Sequence, residues 1–434
     1  MDNFQGSALN TIGPALILVV CTAYYFTRKK KPKEEIDEEL LYARISSYKP
    51  EPLIDYSKID NDNKDIEIHA PDESIPGCLN LAKVNYFDFL NSKEFRNVAE
   101  ACIRKYGVGS CGPRGFYGTV DIHLTLEERL AQFLQVEEAV LYSYGFATIS
   151  SAISAYCKKS SIIFSDEKIS FAATQGFLAS KSQLVYFKHN DTSDLEAKLK
   201  EYEKKEKQKK KIFSKFLIVE GIYGSTGTIC PLPKLMELRE KYKLRIFIDE
   251  TISFGVLGKT GRGITEHFGV DRSDVDMIMG SLEGSLGSIG GFCVGASVIV
   301  EHQRLSSLGY CFSASLPPFL SQVAISALDI FEKDPSMFGN LKKQCLRVHR
   351  RLTDMEGYIV ISDPISPLKV ITTKEVDRRI ETVNLIHNFC TSKNVHMINL
   401  DGYLKLNVNV AHTDTEVDKI ITTLDDAIRV SSTK

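Results

Sequence analysis

From Ala139 onward, short β-rich runs with apolar interiors are separated by longer amphipathic stretches. The runs lie at 139–142, 161–165, 183–187, 215–220, 245–249 and 277–282. Rich in Val, Ile and Phe and without polar alternation, they predict strands buried on both faces. The helical stretches between them predict a mainly parallel sheet covered on either side. Upstream, helices are expected at 91–105, where Asn91 and Glu94 have capping-box spacing, and at 124–135. Pro231 and Pro233 mark the entry of a helix ending near Lys243. The charge run 204–211 (K-K-E-K-Q-K-K-K) reads as a solvated loop between elements. After Pro317 the pattern changes to one helix reaching about Met355 and another from Thr373 to about Ser392. Strands at 395–400 and 403–409 follow, then a last helix capped by Thr413 and Glu416 and running to about Val430. The expected organisation is a large α/β domain over 78–316, then a long helix and small α+β domain over 317–434.

The N-terminal pattern is of another kind. No charge occurs from Asn3 to Thr27, and 12–26 is almost wholly apolar. About 20 residues suffice to cross a bilayer, so 9–27 is expected to be a transmembrane helix, with Tyr24 and Tyr25 at the interface. Arg28, Lys29, Lys30, Lys31 and Lys33 follow at once. Positive residues stay cytosolic, so residues 1–8 are expected in the lumen and the body in the cytosol. A cleaved signal peptide would carry its charge before the apolar run, where only Asp2 stands. Residues 28–77 read as the basic flank, an amphipathic helix at 34–47 with Ile36, Leu40, Leu41 and Ile45 on one face, and a polar, proline-punctuated tether.

Bulk properties narrow the function by exclusion. With 434 residues, 43% hydrophobic and 25% charged, the chain has ample core. A net charge of −2 implies no broad basic face for nucleic acid. The 10 cysteines show no C-x-x-C spacing and the 9 histidines no H-E-x-x-H pair, so no metal site is expected.

Candidate chemistry lies in glycine-rich segments at run ends. The stretch Y-G-V-G-S-C-G-P-R-G-F-Y-G-T from Tyr106 predicts a tight loop whose backbone approaches another surface closely. Ser143-Tyr144-Gly145-Phe146-Ala147-Thr148 opens a helix, whose free N–H groups could take a phosphate or simply turn the chain. Asp249-Glu250-Thr251-Ile252-Ser253 ends a strand, where a buried carboxylate can cap local N–H groups. Residues 280–291 read G-S-L-E-G-S-L-G-S-I-G-G and hold no lysine.

These segments, in this order, resemble those of the α-oxoamine synthases, which condense an amino acid with an acyl-CoA on pyridoxal 5′-phosphate. Within them the pattern is similar to the long-chain-base subunit 1 group of serine palmitoyltransferase, over about residues 79–425. The resemblance implies a fold-type I pyridoxal-phosphate transferase architecture, a large mainly parallel sheet domain plus a small C-terminal domain. It places Gly284 where the Schiff-base lysine belongs, Ser170 and Ile252 where two cofactor histidines belong, and Lys405 where an arginine would fork the substrate carboxylate. Asp249 keeps the position that would pair with the pyridine nitrogen, so Asp249 and Lys405 are vestigial cofactor and substrate positions. No catalytic residue is expected in this chain. The cofactor is expected on a lysine-bearing subunit 2, with none covalently bound here. Cys111, Gly112, Pro113, Arg114 and Tyr117 are implied to form a wall shared with that partner. Ser313 and Ser315 either assist the partner's phosphate site or cap the helix at Pro317. The implied function is the non-catalytic half of a heterodimer that joins L-serine and palmitoyl-CoA into 3-ketosphinganine, the first step of sphingolipid biosynthesis, at the endoplasmic reticulum membrane. An active homodimeric acyltransferase using a displaced lysine and a pure membrane scaffold are the alternatives; Lys259, in a neighbouring loop, is offset in sequence from Gly284 and a poor substitute.

Overall fold

Five parallel strands carry the architecture, and their sequences explain their depth. In the computed structural model, β3 (Ser161–Asp166), β5 (Ser214–Glu220), β6 (Arg245–Asp249) and β7 (Met277–Ser281) lie inside a seven-stranded sheet. Its order is β2-β8-β7-β6-β5-β3-β4, with β2 at Glu138–Tyr142, β4 at Gln183–Phe187 and β8 at Gly291–Gly295. Strands β3 to β7 run parallel, while β8 is antiparallel to both neighbours. Side chains alternate between two cores with period two. Leu217, Val219, Ile246, Ile248 and Phe164 join one cluster with Phe133, Phe254 and Phe331. Phe216, Ile218, Phe247 and Ile163 join the other with Ile149 and Phe177. Each such side chain, fully buried, contributes about 1.5–3 kcal/mol, so the unbroken apolar runs are what a doubly covered sheet requires.

The described residues are 77–432 except Lys211 and Glu375, together with Ser46 and Ile75. The chain divides between His69 and Ala70, and all elements named here belong to the second unit. The expected transmembrane helix, basic flank and tether therefore lie outside the described residues, apart from Ser46, Ile75 and Gly77. Among described residues no helix is long and apolar enough to cross a membrane.

Before the sheet come β1 (Leu79–Asn80), α1 (Lys93–Tyr106) and α2 (Asp121–Leu134). Helix α1 is capped by Ser92, whose hydroxyl accepts from Phe95 N at 3.3 Å, and not by Asn91 as the spacing suggested. Asn91 instead donates its amide to Asp88 at 2.6 Å. Between strands lie α3 (Gly145–Tyr156), α4 (Phe171–Ser180), α5 (Thr192–Lys209), α6 (Leu232–Tyr242) and α7 (Ile264–Phe268). The charge run at 204–211, read as a loop, is helical up to Lys209. Ion pairs at i,i+4 spacing, Glu201–Lys205 and Glu203–Lys207, line α5, while Leu195, Leu199 and Tyr202 bury its other face.

Helices α8 (Ser297–Ser306) and α9 (Leu308–Cys311) lead to α10 (Pro318–Lys333) and α11 (Ser336–Thr353). The single long helix expected there is two, because Pro335 cannot continue the first. A four-stranded antiparallel sheet follows, ordered β12-β13-β10-β9, with β9 at Tyr358–Val360 and β10 at Leu368–Thr373. Its other strands are β12 (Ile398–Leu400) and β13 (Tyr403–Asn407). Helices α12 (Arg379–Ser392) and α13 (Asp414–Ser432) pack together, and α12 covers this sheet. The helix expected from Thr373 starts at Arg379, since 368–373 forms β10. At α13, Thr413 Oγ1 accepts from Glu416 N at 3.3 Å and Glu416 Oε2 accepts from Thr413 N at 2.8 Å, the expected reciprocal cap. Strand β11 (Val395–His396) pairs with β1 in parallel, threading the segment 78–91 into the body.

Candidate functional site

Parallel sheets place functional groups at the carboxyl ends of their strands, and here those ends carry acids. Asp166 ends β3, Glu220 ends β5 and Asp249 ends β6, with Glu220 and Asp249 opposite one another in register. All three are buried. Glu220 accepts from Ser170 N at 2.5 Å and from Gly224 N at 2.8 Å. Asp249 accepts from Thr251 N at 2.9 Å and Thr251 Oγ1 at 2.6 Å. Burial, and then the Asp249 charge beside it, raise the Glu220 carboxyl well above the ordinary range. Burial pushes Asp249 up to about 6, against the pull of its two Thr251 hydrogen bonds. Two like groups on neighbouring strands resist ionising together. The acidic partner of Asp249 was readable in principle, since two successive apolar runs end K-F-L-I-V-E and R-I-F-I-D. No motif flagged it.

The turn after β7 holds Gly284, and this position is covered. Its carbonyl accepts from Tyr86 N at 3.1 Å. A Cβ at Gly284 would fall 2.7 Å from the Tyr86 ring and 3.0 Å from Val84. Both neighbours belong to the segment threaded in from β1, which sequence patterning did not connect with this turn. Asn407 and Asn409 hold that segment through the carbonyls of Leu81, Ala82 and Asn85.

Ser170, where the resemblance implies a histidine, caps α4 by accepting from Ala173 N at 3.3 Å. Ile252 is half-buried near Gly224. Lys405 donates from Nζ to Gly224 O at 2.9 Å, tying β13 to the loop whose N–H holds Glu220. Burial lowers its ammonium and the nearby Glu220 partly opposes this. Lys259 is exposed, on a turn beside Glu266. At the start of α3 no side chain caps the helix, and Tyr144 and Phe146 stand exposed. The Phe146 and Phe171 rings lie 6.0 Å apart.

The glycine loop between α1 and α2 forms a second group of candidate residues. Cys111 is exposed at φ 58° and Tyr117 at φ 63°, both in the left-handed region. Tyr117 projects fully into solvent, and Phe116 and Val108 are also exposed. Gly112 and Gly118 pack backbone to backbone, for a Cβ at Gly118 would lie 1.9 Å from Gly112 O. Pro113 O accepts from Phe116 N at 2.9 Å and Gly118 N at 3.0 Å. Arg114 turns inward. Its guanidinium meets Glu127 at 2.8 and 3.0 Å, its Nε reaches Thr119 Oγ1 at 2.9 Å, and both charged side chains are almost fully buried. Arg114 thus fixes the loop rather than lining its surface, and Glu127, which also accepts from Leu141 N at 2.9 Å, is a residue that sequence reasoning missed.

Ser315 is buried and joins the same loop, its N and Oγ both donating to Gly112 O, at 2.8 and 3.0 Å. Ser313 Oγ donates to Gly309 O, and Ser143 Oγ to Ala314 O. The loop, the segment 309–316 and the start of α3 are one connected surface. Asp121 and His123 begin α2, three residues ahead of the start expected at 124; His123 Nδ1 accepts from Val120 N at 3.2 Å while Nε2 meets Leu316 O at 2.6 Å.

Comparisons with known proteins bear on the fold and the family. The aminotransferase class I and II family matches residues 76–424. "Long chain base biosynthesis protein 1b" of Oryza sativa subsp. japonica is 40% identical over 370 residues, covering 82% of this chain and 76% of the relative. "Serine palmitoyltransferase 1" of Dictyostelium discoideum is 45% identical over 294 residues, covering 67% of this chain and 61% of the relative. Among solved structures, Sphingomonas wittichii serine palmitoyltransferase superposes with a TM-score of 0.74 at 24% identity, covering 82% of this chain and 88% of that one. A structure of SPT with PLP internal aldimine aligns with a TM-score of 0.74 at 22% identity, covering 82% and 88%.

Pyridoxal phosphate is used in this family, but the residues present do not fit it as a covalent guest. Tethering needs an amine at the turn after β7, where Gly284 lies under Tyr86 and Val84. Stacking needs a ring where Ser170 caps a helix. Asp249 remains, engaged with Thr251 and paired with a second acid. On the family match over 76–424 and the 40% identity across most of both chains, this chain belongs to the aminotransferase class I and II family, among the serine palmitoyltransferase 1 and long chain base biosynthesis protein 1 relatives.

Proposed function

We propose that this chain is the non-catalytic subunit of a heteromeric serine palmitoyltransferase, acting in long-chain-base synthesis for sphingolipids. The complex would condense L-serine with palmitoyl-CoA, releasing CO2 and CoA and giving 3-ketosphinganine. The observation that carries this reading is Gly284, a position without an amine beneath the Tyr86 ring. The names of its relatives, serine palmitoyltransferase 1 and long chain base biosynthesis protein 1, support the pathway. A lysine-bearing subunit 2 then holds the pyridoxal phosphate and performs the chemistry.

This chain's contribution is a wall. The loop at Cys111, Gly112, Pro113 and Tyr117, with Ser313 and Ser315 behind it, faces the partner's site. Exposed Val108, Phe116, Tyr117, Tyr144, Phe146 and Phe312 surround it, and an apolar surface of that kind marks an interface. Arg114 and Glu127 lock the loop before the partner arrives, so little ordering is left to be done on assembly. The apolar segment 9–27 would anchor the complex in the endoplasmic reticulum membrane, N-terminus in the lumen and body in the cytosol.

The test uses the full chain alone and co-purified with its membrane partner. Alone it should show no borohydride-reducible pyridoxal absorption and no turnover of serine with palmitoyl-CoA; the complex should show both. Reducible cofactor on the isolated chain would establish a displaced lysine and end the proposal. Bulky substitution at Cys111 separates wall from scaffold: a complex that assembles and turns over normally would leave only the scaffold.

A further inference from the structure

The opposite ends of the same strands carry a second surface. Four strands adjacent in the sheet, β6, β5, β3 and β4, are entered by the short segments 243–244, 210–213, 157–160 and 181–182. Their described residues include Lys158, Lys159, Lys181, Lys210 and Lys243, all exposed, and no Asp or Glu. Lys209 and Arg245 flank them, also exposed. Among the described residues no acid pairs with Lys159, Lys181, Lys210 or Lys243. The acids closest to the edge are mostly engaged, Glu203 by Lys207, Glu206 by Lys215 and Glu196 by Lys241, with Glu240 exposed on the last turn of α6. The sign reverses at β7, which is entered past Asp274 and Asp276. A chain of net charge −2 thus concentrates cations along one bounded edge.

Two details go beyond what helix ends demand. Lys181, Lys210 and Lys243 follow α4, α5 and α6 at φ 55°, 48° and 53°. Glycine takes this conformation without strain, whereas three successive helices end on lysine. A helix dipole favours a cation in the last turn but does not hold apolar side chains in water. Ile212 is 88% exposed within this edge and Leu178, in the last turn of α4, is 66% exposed. Lysines interspersed with projecting aliphatic tips match the boundary between anionic headgroups and acyl chains. Single-stranded nucleic acid would instead call for aromatic stacking platforms.

We propose that this edge, Lys158, Lys159, Lys181, Lys210 and Lys243 with Ile212 and Leu178, docks on an anionic phospholipid surface. It lies at the far ends of the strands from Asp166, Glu220 and Asp249, and does not rest on the catalytic assignment.

The full chain is reconstituted into vesicles of phosphatidylcholine, or of phosphatidylcholine with 30% phosphatidylserine, and backbone hydrogen exchange is measured at 0.1 and 0.5 M salt. The four segments should exchange several-fold more slowly with phosphatidylserine at low salt only, while 107–117 exchanges alike in both. The triple variant Lys181→Gly, Lys210→Gly, Lys243→Gly removes charge while easing the backbone, so it should fold. Each lysine contributes about a fivefold increase in partition at such a surface, and the variant should lose the lipid-dependent protection. Equal exchange in the two lipids, or unchanged protection in the variant, overturns the proposal. Protection by soluble heparin or RNA but not by vesicles also overturns it, assigning the edge to a soluble polyanion.

Discussion

Replacing Asp249 with Asn should make the isolated chain more stable at neutral pH. Burial lifts this carboxyl from an ordinary 3.8 to about 6. Below pH 4 the group is protonated in folded and unfolded chains alike. Between pH 4 and 6 the unfolded chain releases its proton while the folded chain keeps it, so stability falls as pH rises. Above pH 6 the whole penalty is present: about 2 units at 1.36 kcal/mol each, or at most about 3 kcal/mol. Asn is neutral throughout, and its Oδ1 can still accept from Thr251 N and Oγ1. Its amide group replaces a like charge beside Glu220, whose own pKa that charge raises. An unfolding entropy of about 2.1 cal/mol/K per residue converts 3 kcal/mol to a Tm gain of about 3–4 °C at pH 7.5, vanishing near pH 4. The chain has no tryptophan, so circular dichroism suits the melts. In the proposed complex with a lysine-bearing partner, Asp249→Asn should leave turnover unchanged. A Tm gain equal at both pH values, or a lower Tm at pH 7.5, would refute the electrostatic reasoning. A loss of turnover by orders of magnitude would show that this carboxylate serves a cofactor in its own chain.

Arg114→Met strands Glu127 in the interior and should destabilise by about 3–5 kcal/mol, with urea melts of Arg114→Met/Glu127→Leu recovering most of the loss; no recovery would refute the pairing. Gly284→Lys supplies an amine but must displace Tyr86, so we expect about 1–3 kcal/mol of destabilisation and no borohydride-reducible absorption; capture of the cofactor would show that the amine alone was missing. Gly118→Ala drives a methyl into the Gly112 carbonyl and should weaken co-purification with the partner, whereas an intact yield of active complex would show that the loop tolerates opening. Thr413→Ala removes one arm of the α13 cap and should lower stability by about 1 kcal/mol in the same melts; a change below a few tenths would mean the helix end is held elsewhere.

The sequence by itself determined the sheet, most of its helices and the lack of a lysine in 280–291. Runs such as 215–220 and 245–249 are apolar at every interior position, 216–219 and 246–248, because both faces of the sheet are covered, and local composition is enough to reveal that. Gly284 and Ser170 are covalent facts, legible once the surrounding glycines set the register. Elements governed by local competition were misjudged: the lysine-rich end of α5 is helical because Leu195, Leu199 and Tyr202 anchor its buried face, and Pro335 divides a helix whose two halves share one periodicity. Only the tertiary structure decided which distant groups meet. Glu220 faces Asp249 through strand register, Arg114 turns in to Glu127 on the next helix, and Tyr86 comes to lie over Gly284 by way of a segment hydrogen-bonded to Asn407 and Asn409. The basic edge also emerges only when four separate loops are brought side by side by the order of their strands. Periodicity is a property of neighbours along the chain, whereas burial, pairing and charge are properties of neighbours in space, and chain closure alone converts one into the other.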